Sequence, residues 1–177
     1  MWLSLDLEGI RFRFRIRNYR QYSAEDIMNY ENWTRIDLSL QAGEWLNYHV
    51  TDDEIMMTNE IEDLRDHLEL LLKDGLTEEY RLELLEPDFV FVLHPKEDVR
   101  KKPTIVYVSP GHEIVDIDMD MEIAFWHEGL TANRLVLSFD REEINALWLY
   151  LCIITGTIDK QDSSIQTSSV SGYLSDD

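Results

Sequence analysis

The sequence predicts an α+β fold in which an antiparallel, curved sheet of about eight strands packs against two amphipathic helices. Most apolar residues recur at every second position, which is the period of a strand with one buried face. Two other segments place their apolar residues on a helical stripe instead. The 177 residues, 44% of them hydrophobic, are enough for one domain with a sizeable core.

The two most regular strands carry opposite charges. Four carboxylates alternate with apolar side chains between residues 113 and 126, and four arginines do the same between residues 10 and 17. Cross-strand ion pairs contribute about 0.2 to 1 kcal/mol each, so we expect these two strands to be neighbours in one sheet. The carboxylates, called the carboxylate ladder below, are Asp116, Asp118, Asp120 and Glu122.

Shorter segments with the same alternation supply the remaining strands. Gly43 predicts a tight turn between two of them, which makes a hairpin. Pro87 interrupts another pair, because proline has no backbone N–H to donate. These segments begin at Leu3, Ile36, Trp45, Arg81, Phe89, Thr104 and Leu135.

The two helices are marked by capping residues. Asn59 is the predicted N-cap of the first helix, with Glu62 completing the capping box, and Gly75 follows its end. Asp140 and Glu143 form the corresponding pair at the start of the second helix. The second helix is predicted to end before Gly156.

A single domain is predicted for residues 1–156. Residues 157–177 are rich in serine, carry several acids and show neither a helical nor a strand period, so we expect a flexible tail. Residues 23–32 are polar and tyrosine-rich, which predicts a loop. No repeat and no linker indicates a second domain.

The net charge of −20 is the most unusual property of the composition. Residues 1–20 hold five arginines and two acids, a net charge of +3, so residues 21–177 carry −23. Nucleic acid is therefore not expected as a ligand, because its phosphates require a basic surface. The charge favours a cationic partner, and the alternative is that it only keeps the protein soluble.

The chain has the features of a cytoplasmic protein that does not enter a membrane. The first nine residues contain acids where a secretory signal has basic residues, and no segment approaches 18 consecutive apolar residues. Cys152 is the single cysteine and lies in an apolar helical stretch, so we expect it to be a small core residue.

No sequence motif points to catalysis or to a bound cofactor. The carboxylate ladder could attract Mg²⁺ or Ca²⁺, but residues on one face of a strand lie about 6.5 to 7 Å apart in a row and do not form a cage. The five histidines lie in five separate elements without a ligand spacing. The tryptophans are expected to fill the core, namely Trp33, Trp45, Trp126 and Trp148.

Several short features together resemble the WapI-type bacterial immunity proteins, which are encoded beside secreted, contact-dependent toxins. They include Asn32 and Trp33 at the start of a strand, Glu60 in the leucine-striped helix, residues 86–88 (Glu-Pro-Asp) before a strand, and the terminal helix that begins at Asp140. The resemblance covers residues 30–155. It implies a non-enzymatic cytoplasmic protein that binds and neutralises a toxin domain, often a nuclease, and it brings no catalytic residues.

The resemblance and the charge lead to one main hypothesis and two alternatives. The main hypothesis is an immunity protein whose acidic surface binds a cognate toxin. Its candidate contact residues are Asp52, Asp53, Glu54 and the carboxylate ladder. One alternative is a small metal-dependent hydrolase that uses the ladder. The other is a general adaptor domain without a toxin partner.

Overall fold

Two large antiparallel sheets, a short strand pair and two α-helices are the main elements of the computed structural model, which describes residues 1–21, 32–126, 128–160 and 173–175. Nearly all of the loop predicted at 23–32 and most of the tail predicted at 157–177 lie outside these residues. In chain order the elements are β1 (Trp2–Leu7), β2 (Ile10–Arg17), β3 (Arg35–Ala42), β4 (Leu46–Asp53), α1 (Thr58–Leu72), β5 (Tyr80–Glu83), β6 (Phe89–His94), β7 (Glu97–Asp98), β8 (Ile114–Val115), β9 (Asp118–Trp126), β10 (Leu130–Phe139), α2 (Arg141–Ile154) and β11 (Leu174–Ser175).

The prediction of a single sheet of about eight strands is wrong. The strands form a five-stranded sheet in the order β11-β1-β2-β3-β4, a four-stranded sheet in the order β10-β9-β6-β5, and the separate pair β7-β8. Along the chain, α1 separates β1 to β4 of the first large sheet from the strands of the second, and β11 returns to the first sheet at the end. Alternation in a sequence shows which face of a strand is apolar, but it does not show which strands are neighbours.

The two large sheets share one core. The ring of Phe12 on β2 meets Phe139 on β10 edge-on at 5.5 Å, and Phe14 meets Phe89 on β6 at 6.4 Å. Tyr150 of α2 closes this core, and its hydroxyl accepts a 2.7 Å hydrogen bond from the backbone N–H of Ile16. The apolar faces that the alternation predicted are therefore buried against each other and against α2.

The arginine strand and the carboxylate ladder are not neighbours, which corrects the expectation from charge. The arginine strand is β2, and it lies between β1 and β3 in the first sheet, whereas the ladder residues of β9 lie in the second sheet. Asp37 on β3 is the buried partner of the arginines: Arg15 lies 2.6 Å and Arg17 2.9 Å from its carboxylate oxygens. The guanidinium of Arg15 also lies 4.5 Å above the ring of Trp2 on β1.

Burial alone would raise the pKa of Asp37. The backbone N–H of Asp52 and the two guanidiniums donate to its carboxylate, and together they hold its pKa below the usual value. Asp37 thus neutralises two of the four arginines, Arg15 and Arg17, which the sequence had suggested the ladder would do.

Both predicted helices are present. The capping box of α2 is confirmed, since the Asp140 carboxylate accepts from the N–H of Glu142 and Glu143, and the N–H of Asp140 donates to Glu143. The start of α1 differs from the prediction. It begins at Thr58, after Met57, so neither Asn59 nor Glu62 forms its cap.

Glu60 takes the capping role at the start of α1. It is 7% exposed, and its two carboxylate oxygens accept from the backbone N–H of Met57 at 2.8 Å and of Leu85 at 2.7 Å. Burial raises the pKa of Glu60, while these two donors act in the opposite direction. The side chain therefore ties the first turn of α1 to the segment that precedes β6.

The prediction of a strand from Thr104 to Val108 is wrong, because these residues belong to the loop between β7 and β8. Val106 is fully exposed and Tyr107 is largely so. The apolar residues of this loop have no facing strand to pair with, which is why their alternation does not produce a strand. Cys152, by contrast, is buried in α2 as expected.

Candidate functional site

Three members of the carboxylate ladder, Asp118, Asp120 and Glu122, lie on one face of β9, as their period of two predicted, whereas Asp116 precedes the strand. The apolar residues between the carboxylates, from Ile117 to Ile123, are buried in the core. The carboxylates themselves keep between a quarter and about half of their side-chain surface exposed. The ladder is therefore a surface row, and its members differ in what they contact.

Other side chains of the protein engage most of the ladder. Arg81 on β5 reaches across β6 to Glu122, with 2.8 Å between guanidinium and carboxylate. The hydroxyl of Ser138 on β10 donates to Asp120 at 2.6 Å. The ring of His94 lies beside Asp118 and Asp120, with its Nε2 3.8 and 3.5 Å from their oxygens. These contacts join β9 to its neighbouring strands and give the ladder a structural role.

Asp116 belongs to a clamp between the helices. Arg141, at the start of α2, donates to both oxygens of Asp116 at 2.7 and 3.0 Å, to Asp74 at 2.6 Å, and to the carbonyl of Leu72 at the end of α1. The Arg141 guanidinium lowers the pKa of Asp116 to about 2. Asp116 is thus ionised and paired with an internal cation at neutral pH.

The candidate acids at residues 52–54 divide into two groups. Asp52, in a left-handed backbone conformation at φ +59°, turns toward the arginine strand and pairs with Arg17 at 2.7 Å. Glu54 pairs with Arg35 at 2.8 Å, and among the described residues Asp53 accepts only from the backbone N–H of Glu54. Asp53 and Glu54, but not Asp52, face a groove at the end of β4.

This groove, called the edge groove below, has a volume of about 660 Å³ and runs along the outer strand of the first sheet. Successive residues of a strand point to opposite faces, so a cavity that touches every residue from 48 to 51 must follow the edge of β4. The residues that line it are Tyr48, His49, Val50, Thr51, Asp53 and Glu54 on one side and Glu86, Asp88 and Trp126 on the other.

Three carboxylates of the edge groove have no cation beside them in the described part of the chain. Within the described ranges, no arginine, lysine or histidine lies within ion-pair distance of Asp53, Glu86 or Asp88. Burial raises the pKa of Asp88, and the negative charges of Asp53 and Glu86 add to this shift. Burial and the charges of Asp88 and Asp53 likewise raise the pKa of Tyr48. The groove therefore has an excess of negative charge that the described side chains do not neutralise.

Aromatic side chains form part of the groove wall. The indole N–H of Trp126 donates a 2.7 Å hydrogen bond to Asp88, while 48% of the residue is exposed. Tyr48 packs edge-on against Phe125 at 5.3 Å. Trp45, at the start of the same hairpin arm, is 69% exposed. The expectation that all four tryptophans fill the core is wrong for Trp45 and Trp126.

The sequence contained a signal for Trp126 that the prediction did not use. Trp126 has the same parity as Asp120 and Glu122, so the alternation along β9 already placed it on the outward face. Glu86 and Asp88 carried no such signal, since only the folding of the second sheet against β4 brings them to the groove.

The arrangement can bind a cation or a cationic side chain, with carboxylates for the charge and an aromatic face for stacking. Within the described ranges, no three side chains of the His, Cys, Asp or Glu type come together in a way that could hold a metal ion. The edge groove is thus suited to a basic group of a larger partner.

A comparison with known protein families gives a match for this chain. The model of the immunity protein WapI-like family matches residues 3–151. This protein belongs to the WapI-like immunity family. The match covers both large sheets except β11, together with nearly all of α2, and so includes every residue of the edge groove. No curated protein matches the chain.

Family membership confirms the resemblance that the short sequence features had indicated, and it extends this resemblance to the arginine strand. Neither α1 nor α2, the helices of the described residues, combines the length and the hydropathy needed to cross a membrane.

Proposed function

We propose that this WapI-like immunity protein binds and neutralises a cognate secreted toxin domain in the cytoplasm, and that it does so without catalysing a reaction. Its membership in the family over residues 3–151 supports the immunity role. The edge groove supports binding as the means, because it presents charge that no described cation neutralises.

The toxin surface that fits this charge is basic. A net charge of −20 attracts a cationic protein over distances of about a Debye length, roughly 8 Å at physiological salt, and accelerates their association. A nuclease toxin has a basic cleft for the phosphates of its substrate. An acidic protein that covers such a cleft would compete with that substrate for the same cations.

The contact residues we propose are those of the edge groove. Asp53 and Glu54 remain from the acids that the sequence indicated, and Glu86, Asp88 and Trp126 join them. Asp52 and the paired ladder carboxylates contribute to the surrounding negative field, since their own side chains are held by internal partners.

Protection of growing cells tests this proposal directly. The cognate toxin domain, sought in the gene beside this one as the family arrangement implies, is induced in a bacterial host with and without the immunity protein, and colony counts are compared. We expect the wild-type chain to restore growth and to co-purify with the toxin domain. Killing that continues in the presence of abundant, folded immunity protein would contradict the proposal.

A charge variant locates the interface in the same assay. Asp53→Asn, Glu86→Gln and Asp88→Asn together remove three charges from the edge groove. The control combines Glu8→Gln, Asp66→Asn and Glu78→Gln, which removes three charges from exposed positions that do not line the groove. We expect protection to fall with the groove variant and to persist with the control, and equal protection by both would place the interface elsewhere.

A further inference from the structure

The outer edge of β4 lacks the features that usually protect an edge strand. Among the described residues, β4 pairs only with β3, so its other side carries backbone groups without a strand partner. Exposed edges are normally blocked by proline, lysine or other charged residues. Residues 46–51 (Leu-Asn-Tyr-His-Val-Thr) contain no proline, lysine, arginine or carboxylate.

Each of the other sheet edges is partly protected. Strand β11 pairs with the outer side of β1. Strand β5 has only four residues and carries Arg81 and Glu83, and β10 has an irregular register before Arg134. The edge of β4 thus offers six successive uncharged residues, and it borders the edge groove.

The hydrogen-bond pattern shows which backbone groups point outward. The N–H of Ile16 donates to Tyr150 on the side away from β3, so the odd-numbered residues of β2 are those that bond to β3. Antiparallel bonding alternates along a strand, and the register carries this alternation from β2 through β3 to β4. The backbone N–H and C=O groups of Tyr48 therefore point toward β3, whereas those of Asn47 and His49 point toward the free edge.

These outward groups open into the edge groove. On its far side stand Glu86, Asp88 and Trp126, and Asp53 lies at the end of β4. An occupant that bonds to the β4 edge would therefore meet unpaired carboxylates with its side chains. Such a site fits an extended segment with lysine or arginine at alternate positions.

We propose that the edge groove receives an extended basic segment of the toxin, which adds as a strand to β4. The backbone of Asn47 and His49 bonds to this segment, and the carboxylates of Asp53, Glu86 and Asp88 bind its cationic side chains. This inference rests on the proposed function, because the segment belongs to the toxin that the protein neutralises.

A second copy of this chain is the other possible occupant, and charge disfavours it. Each copy carries a net charge of −20, so pairing two copies along their edges would bring two strongly acidic proteins together. The acidic groove attracts a basic toxin segment, whereas it repels a second copy of this acidic chain.

A proline at position 49 tests the added strand. His49→Pro removes an outward N–H but leaves the bonds of Tyr48 and Val50 to β3, and proline is tolerated on edge strands in this orientation. His49→Ala removes the same side chain and keeps the N–H. The affinity of each variant for the purified cognate toxin domain is measured by calorimetry, after circular dichroism has shown that both variants are folded.

We expect His49→Pro to weaken binding about tenfold or more, because the toxin loses a backbone hydrogen bond and one of its carbonyl groups is left unpaired. His49→Ala should bind nearly as well as the wild type. In hydrogen exchange of the wild-type complex, the amides of Asn47 and His49 should become protected. If His49→Pro misfolds, the hydrogen-exchange measurement on the wild-type complex tests the added strand by itself.

The outcomes separate this inference from the proposed function. A toxin complex in which the amides of Asn47 and His49 stay unprotected would overturn the added strand and leave the immunity role intact. Protection of these amides in the free protein that grows with its concentration would show that a second copy occupies the edge. If the folded protein forms no toxin complex, both the inference and the proposed function fail.

Discussion

The indole N–H of Trp126 donates a 2.7 Å hydrogen bond to the Asp88 carboxylate, and this bond joins the end of β9 to the segment before β6. The bond holds the half-buried carboxylate of Asp88 beside two further carboxylates, Asp53 and Glu86. Burial raises the pKa of Asp88, and the charges of these two neighbours raise it further. The bond thus fixes an acid in a place that is unfavourable for the free protein and favourable for a cationic partner.

Neutralising Asp88 should therefore stabilise the free protein. Because the pKa of Asp88 is raised in the folded state, the folded state binds protons more tightly, and stability falls as pH rises above the usual carboxyl range. Asp88→Asn keeps an oxygen that can accept from Trp126 and removes this effect. At pH 7 we expect a gain of at most about 1 kcal/mol, or about 2 to 4 °C in Tm, because solvent screens a half-exposed site.

The measurement is thermal unfolding of Asp88→Asn and the wild type at pH 7 and at pH 4. The gain should be smaller at pH 4, where Asp88 is already more protonated in the wild type. If Asp88→Asn is less stable than the wild type at pH 7, the ionised carboxylate stabilises the free protein and this prediction is wrong.

Glu60 should control both the start of α1 and the shape of the edge groove. Its two oxygens accept from Met57 and Leu85, and a glutamine at this position would turn its NH₂ group toward one of these donors. We expect Glu60→Gln to lower the free energy of unfolding by about 1 to 3 kcal/mol, as for other buried donors left unpaired.

Urea unfolding measures this loss, and Glu69→Gln on the exposed face of the same helix is the control, with an expected change below about 0.5 kcal/mol. Because Leu85 directly precedes Glu86, Glu60→Gln should also weaken toxin binding. Equal stabilities of the two variants would contradict the role of Glu60 as a buried anchor.

The pair formed by Asp37 with Arg15 and Arg17 should make the protein sensitive to acid. The pKa of Asp37 is lowered in the folded state, so its contribution to stability is present above the usual carboxyl pKa, about 3.9, and is lost as pH falls below it. Asp37→Asn should cost about 1 to 3 kcal/mol at pH 7, less than for a fully buried pair because the arginines are about one third exposed.

Unfolding by urea between pH 7 and pH 3 tests this prediction. The difference between Asp37→Asn and the wild type should shrink as the pH falls below about 4. The surface variant Asp66→Asn, whose carboxylate is 60% exposed, should differ from the wild type by less than about 0.5 kcal/mol. A difference for Asp37→Asn that stays constant over this range would mean that its charge does not stabilise the fold.

Local features were predictable because local residues determine them. Asp140 and Glu143 lie three positions apart and cap α2 as their spacing indicates, and Gly43 forms the turn between β3 and β4 with φ at +49°. The outward row of carboxylates on β9 followed from its period of two. None of these predictions required knowledge of another part of the chain.

Neighbours in space were not predictable from these patterns. The arginine strand had a conspicuous acidic counterpart in the ladder, but Arg15 and Arg17 pair instead with Asp37, which is buried on the adjacent strand, and Arg17 also pairs with Asp52. A charge pattern indicates that compensation exists and does not show which strand supplies it. The edge groove was hidden for the same reason, since Asp53 and Asp88 meet across two different sheets.

The affinity of the purified protein for its toxin domain, measured by calorimetry at low and at physiological salt, tests the central claim most directly. We predict tight binding at low salt that weakens about tenfold or more at physiological salt, and a smaller salt effect for the variant that combines Asp53→Asn, Glu86→Gln and Asp88→Asn. Affinity that is independent of salt and unchanged in this variant would contradict an electrostatic interface at the edge groove.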